Sequence, residues 1–167
     1  STTTSPSTAV DFTVTAIDGY LKNAVVTATC GDKTFTGVTD AKGLASITTG
    51  GITSANCSIA ITAQPDGSTT DINTGKTFAA GSLYLLSPVG QSGNLIASPF
   101  TTMVSLLMAS SSGSIDFATA VQQIATDFGI DAALVTADYA NNAKAELKAT
   151  ALLSYLPKTA TEYQTVA

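Results

Sequence analysis

The chain has no histidine, no arginine and no tryptophan among its 167 residues. Without histidine the commonest general base is missing, and with it the Ser-His-Asp and Cys-His forms of nucleophilic catalysis. Without arginine all 7 basic residues are lysines, set against 12 acidic ones for a net charge of -5. No basic patch forms to release phosphate counterions, so no nucleic-acid partner is expected. Anionic membrane surfaces are disfavoured for the same reason. Long apolar runs are missing too. No stretch reaches the about 18 residues a spanning helix needs, so no transmembrane segment is expected in this chain.

Charge of either sign is scarce. Charged residues make up 11% of the chain, against about 25% in a typical soluble domain. Ser, Thr, Ala, Gly and Asn stand in their place, which predicts a polar but nearly uncharged surface. Cysteine is scarce but even in number: Cys30 and Cys57 are the only two. An even pair in a low-charge chain suggests a disulfide and an oxidising compartment, with two buried free thiols as the alternative.

Catalytic motifs are missing as well. GQSGN at 90–94 breaks the G-x-S-x-G spacing of a nucleophile elbow, and no S-x-x-K occurs. Two cysteines without histidine do not build a structural zinc site. No glycine-rich loop has the Walker or dinucleotide spacing. No cofactor is expected and the chain is not expected to be an enzyme. Carboxylates remain. Asp18, Asp40, Asp66 and Asp71 fall at or near turns, where Asp is favoured for bonding its own backbone. A weak Ca²⁺ site from Asp66 and Asp71 is the functional alternative, but PDGSTTD carries only 2 carboxylates and EF-hand spacing is absent. Asp116 and Asp127 flank a helix, where Asp116 suits the helix dipole. Lys144 and Lys148 read as a solvated helix face. Tyr20, Tyr84, Tyr139, Tyr155 and Tyr163 offer rings for a sugar platform, but their spacing groups them on no single face.

What is present is a change of period. STTTSPSTA at 1–9 has no apolar pattern and reads as a flexible tether, expected to continue from an upstream segment. From 10 to about 90 the pattern alternates. Val10, Phe12, Val14 and Ala16 share a face, as do Val26, Ala28 and Cys30, then Ala45 and Ile47, then Cys57, Ile59, Ile61 and Ala63. Phe35 anchors a short strand, and Thr77 to Leu86 holds one more. Turn signals every 8–12 residues or so suggest a β-sandwich. A Cys30–Cys57 bridge would close a loop of 27 residues, worth about 3 kcal/mol.

After 97 the period becomes helical. Ser98-Pro99 reads as N-cap and first turn, followed by Phe100, Met103, Val104, Leu107 and Met108 on one stripe, ending in the Ser110–Gly113 cluster. A second helix over about 115–128 carries Phe117, Val121, Ile124 and Phe128, with Gly129 as its stop. A third over about 137–156 carries Tyr139, Ala143, Leu147, Ala151 and Tyr155, with Pro157 after it. Residues 131–136 are ambiguous, with a short turn of helix as one reading. The tail 158–167 has no pattern. The expected fold is α+β, with an N-terminal antiparallel β-sandwich over 10–90 and a C-terminal bundle of about three helices over 97–157.

VTAIDGYLKNAVVTA followed by FTGVTDAKGLASI resembles the prealbumin-like, or carboxypeptidase-regulatory-like, β-sandwich repeat, an Ig-like module. Asp18, Gly19, Ala24 and Val26 match its first half, and Thr39, Asp40, Gly43 and Ile47 its second. IASPFTTMVSLLMA, DFATAVQQIATDFGI and ADYANN are similar to the helical segment that follows such sandwiches in large bacterial lipoproteins and surface proteins. The matches cover most of residues 12–142. The resemblance implies a non-catalytic extracellular or cell-surface module, as in an outer-membrane lipoprotein or adhesin, with other proteins or surface glycans as partners. It is compatible with self-association and with a lipid anchor upstream, and it transfers no binding residues. Two alternatives stand beside it. One is a structural subunit of an extracellular filament or pilus assembling by strand or tail exchange; the other is a carbohydrate-binding module.

Overall fold

Alternation of apolar with small polar side chains commits the first part of the chain to strands. A computed structural model describes residues 12–17, 20–91, 94–112, 114–137, 142–153 and 156. The tether, the tail, Asp18-Gly19, Tyr139, Tyr155 and Tyr163 lie outside the described residues.

The strands are β1 (Phe12–Ala16), β2 (Leu21–Lys22), β3 (Val25–Cys30), β4 (Lys33–Val38), β5 (Leu44–Ile47), β6 (Cys57–Thr62), β7 (Thr69–Asp71), β8 (Thr77–Phe78), β9 (Tyr84–Ser87) and β10 (Leu95–Ala97). They form three sheets, ordered β10-β1-β5, β2-β7-β8 and β4-β3-β6-β9. Pairing is antiparallel throughout except between β1 and β10. In β3 and β6 the alternating faces meet in register, Val26 opposite Ile61 and Ala28 opposite Ile59. These four side chains are fully or nearly fully buried in one core, shared with Val14, Ile47 and Leu95 of the first sheet and Leu21 and Phe78 of the second. Removing such surface from water is the main source of fold stability.

Four helices follow: α1 (Pro99–Ser110), α2 (Phe117–Phe128), α3 (Ala132–Val135) and α4 (Ala143–Leu153). They build a second core around Phe100, Val104, Ile124, Val135, Ala149 and Leu152, which Ile17 and Ile96 from the strand region join. Phe100 meets Phe128 edge-on, with ring centroids 6.0 Å apart. The α1 start is as the sequence suggests. Ser98 Oγ accepts the Thr101 N–H and Thr101 Oγ1 accepts the Ser98 N–H, a reciprocal cap. The same turn also ties the helix to the sheet. Thr101 Oγ1 donates to Leu86 O at 2.6 Å, and Thr102 Oγ1 accepts the Leu86 N–H at 2.9 Å. Gly129 ends α2 at φ 64°, a left-handed position that favours glycine.

Two expectations need correction. Thr77–Leu86 is not one strand: a turn closed by Ser82 N–H to Ala79 O separates β8 from β9. Residues 131–136 do hold a short turn of helix, α3, capped by Asp131 Oδ1 on the Ala133 N–H. The described members of the α4 stripe, Leu147 and Ala151, do not face the core. Leu147 is 72% exposed and Ala151 is exposed, whereas Ala145, Ala149 and Leu152 are buried. A strict four-residue spacing drifts around a helix of 3.6 residues per turn, and here the small alanines take the close-packed side. The nearly uncharged surface is also only part of the story. Thr39, Thr69, Thr101 and Thr102 are buried, where their hydroxyls bond backbone groups.

Candidate functional site

The two cysteines come together. Cys30 and Cys57 sit directly opposite each other on β3 and β6 and form a disulfide, with Cα atoms 4.2 Å apart. That approach is near the about 4.5 Å of the closer antiparallel pair type, so the sheet itself brings the sulfurs within reach. Both cysteines belong to the strand-region core.

The candidate calcium carboxylates are each engaged locally. Asp66 Oδ1 accepts the N–H and the hydroxyl of Ser68, at 3.0 and 2.6 Å. Asp71 Oδ1 accepts the Asn73 N–H at 2.8 Å. Among the described residues no group of three or more acidic or cysteine side chains is placed to hold a metal. Asp116 caps α2 through the Thr119 N–H at 2.8 Å. Lys144 is exposed, and Lys148 donates to the Phe128 carbonyl that ends α2.

Three of these turn carboxyls titrate below their ordinary value of 3.8. Asp40 is lowered chiefly by the Lys42 and Leu44 N–H groups, Asp66 by the Ser68 hydroxyl and Asp116 by the Thr119 side chain. Their folded-state pKa values lie under the unfolded ones, so their stabilisation is complete above 3.8 and is lost as pH falls through the folded values. Melting temperatures measured from neutral to strongly acidic pH should therefore fall more steeply for the wild type than for the D40N/D66N/D116N variant. Parallel curves would refute the assignment.

Tyr20 and Tyr84 line different clefts. One cleft, of about 360 Å³, lies beside α1 and β9, with Ser58, Ala60, Tyr84, Val89 and Ser105 among its lining, and no charged residue. Burial pushes the Tyr84 phenol above its usual pKa.

The other cleft, of about 410 Å³, has more chemistry. Its floor is Thr15 of β1 and Leu44 of β5, which face each other in register. Tyr20 and Ile72 form a wall, tied by the Ile72 N–H to Tyr20 O at 3.0 Å. Lys42 and Asn94 complete the rim.

Local sequence explains the placement of Lys42. Asp40 Oδ1 accepts the N–H groups of Lys42 and Leu44, at 2.7 and 3.1 Å, and folds the turn. Gly43 then adopts φ +75°, where a Cβ would lie 2.9 Å from Ala16 O. Only glycine lets this turn press against β1.

The polar groups of this cleft are only partly paired with their neighbours. Thr13 donates its hydroxyl to Asn94 Oδ1, which leaves the carboxamide Nδ2 as donor. Lys42 makes no ion pair among the described residues. Thr15 is only 5% exposed, yet its hydroxyl has no partner among the described residues. Of this set the sequence singled out only Tyr20, as one of five scattered tyrosines. Asp40-Ala41-Lys42-Gly43 read as a turn and GQSGN as a loop. Residues so far apart in the chain leave no local motif.

Comparison with protein-family models, curated proteins and solved structures finds no match to this chain.

Proposed function

We propose that the chain is a non-catalytic extracellular module of a bacterial cell-surface lipoprotein or adhesin, built on a prealbumin-like β-sandwich and acting in surface presentation or attachment. The Cys30–Cys57 bridge carries this reading. Disulfides form and persist in oxidising compartments and are rare in the cytosol. Scarce charge and the absence of histidine, the usual general base, support the same class. Trapping thiols with an alkylating reagent in the native producing cells, then denaturing the chain, tests it. Neither cysteine should be modified before reduction; modification of both would remove the basis for the compartment.

The filament alternative draws on edge strands open to a neighbour. Here β4 is an edge strand paired only with β3 and exposed along most of its length, while the other edge of that sheet, β9, is bridged to Ser98 through Leu86. Sedimentation should give a monomer at high concentration, and polymers would favour the filament.

A further inference from the structure

We infer that the cleft between Thr15, Tyr20, Lys42, Ile72 and Asn94 is a binding site for a carboxylate-bearing saccharide, of the uronic-acid type. This rests on the extracellular reading, since such glycans are met outside the cell. The volume of about 410 Å³ falls in the range of small-molecule sites, roughly 300–1,000 Å³. Such sites combine apolar walls with a few convergent polar groups, and this one has both. Tyr20, Ile72 and Leu44 give an apolar surface for the C–H face of a sugar ring.

The polar groups are all donors in the sense a sugar acid needs. The Lys42 ammonium presents the positive charge, the Asn94 Nδ2 presents N–H groups, and Thr15, whose hydroxyl can donate, lines the floor. A buried hydroxyl without a partner is costly, and a ligand oxygen removes that cost. Asp40, two residues from Lys42, accepts the Lys42 and Leu44 N–H groups on Oδ1, and its negative charge also attracts Lys42, a competition that a ligand carboxylate has to overcome. Lys42 is the one cationic side chain lining the cleft among the described residues, and so the charge that a ligand carboxylate would meet. The cleft beside α1 and β9 carries no charged residue, and in a third, of about 300 Å³, Lys148 is already bonded to the Phe128 carbonyl beside Asp127, so neither offers an acid a comparable anchor.

The test is a titration of the full chain followed by amide ¹H–¹⁵N shifts. The probes are digalacturonic acid, the neutral galactose disaccharide and sodium acetate. Saturating shifts with digalacturonic acid should cluster at Thr15, Lys42, Leu44, Ile72 and Asn94. The neutral disaccharide should bind at least about tenfold more weakly, and acetate more weakly still. Lys42→Gln and Thr15→Val should each weaken binding, Lys42→Gln by about tenfold or more. Lys42 is exposed, so its variant leaves the fold intact even if Thr15→Val does not. No saturating shifts at these amides, equal binding of acetate or the neutral sugar, or wild-type affinity in Lys42→Gln would each overturn the inference. A failed titration removes this site alone. Free thiols in the producing cells would instead remove the extracellular reading, whatever the titration shows.

Discussion

Replacing Cys30 and Cys57 together by alanine should lower the unfolding free energy by about 3 kcal/mol. The bridge closes a loop of 27 residues. In the native state β3 and β6 already pair along their whole length, so the covalent link adds little to the folded geometry. Its effect falls on the unfolded chain, whose freedom it restricts. Loss of two buried sulfurs adds a packing term of the same sign. Urea denaturation with and without reductant measures it. Reductant should move the wild-type midpoint close to that of the double alanine variant and leave the variant unmoved. A wild type indifferent to reduction would show that the sheet, not the bridge, holds these strands.

Gln91→Leu should cost about 2–4 kcal/mol, because it orphans two backbone groups at once. Gln91 is 6% exposed. Its Nε2 donates to Ile96 O at 2.9 Å and to the Ser87 hydroxyl, and its Oε1 accepts the Ile96 N–H at 3.1 Å. The carboxamide acts as one peptide of a missing neighbouring strand beside β10. Leucine fills similar space but offers Ile96 neither donor nor acceptor. Denaturation gives the magnitude, and hydrogen exchange at the Ile96 amide gives the cause. That amide should be strongly protected in the wild type and exchange rapidly in the variant. Equal stability and equal protection would mean that water or a backbone shift replaces the side chain.

Both results bear on what the sequence makes legible. The strands with four or more alternating residues, β3 and β6 above all, could be read, and so could the Ser98-Pro99 helix start. Their signals are local: a period of two, or a capping residue beside a proline. The strands β2, β7 and β10 have two or three residues each, too few to show a period. Their positions depend on distant partners, as with β1 beside β10. Side-chain hydroxyls that replace backbone bonds are equally silent. Thr39 Oγ1 accepts the Ala24 N–H and donates to Leu21 O, and Thr69 Oγ1 accepts the Gln64 N–H and donates to Asn23 O. In the sequence these threonines look like the rest of a Thr-rich surface. The cleft was illegible for the same reason as β10. Thr15, Lys42, Ile72 and Asn94 become neighbours only when the first and second sheets assemble.

The disulfide was legible as a pair of residues, but its mechanical setting was not. Alternation puts both cysteines on core faces, and only the register Cys30 opposite Cys57 explains why they meet. That register links sequence to compartment, and compartment to the proposed role at the cell surface.

Labelling of intact producing cells with a membrane-impermeant amine reagent tests that role most directly. Lys22, Lys33, Lys42, Lys76 and Lys144 are exposed and available to such a reagent. The account predicts that the chain is modified at these lysines on unbroken cells or is recovered, folded and disulfide-bonded, from their medium. Modification only after lysis, with the chain absent from the medium, would contradict it.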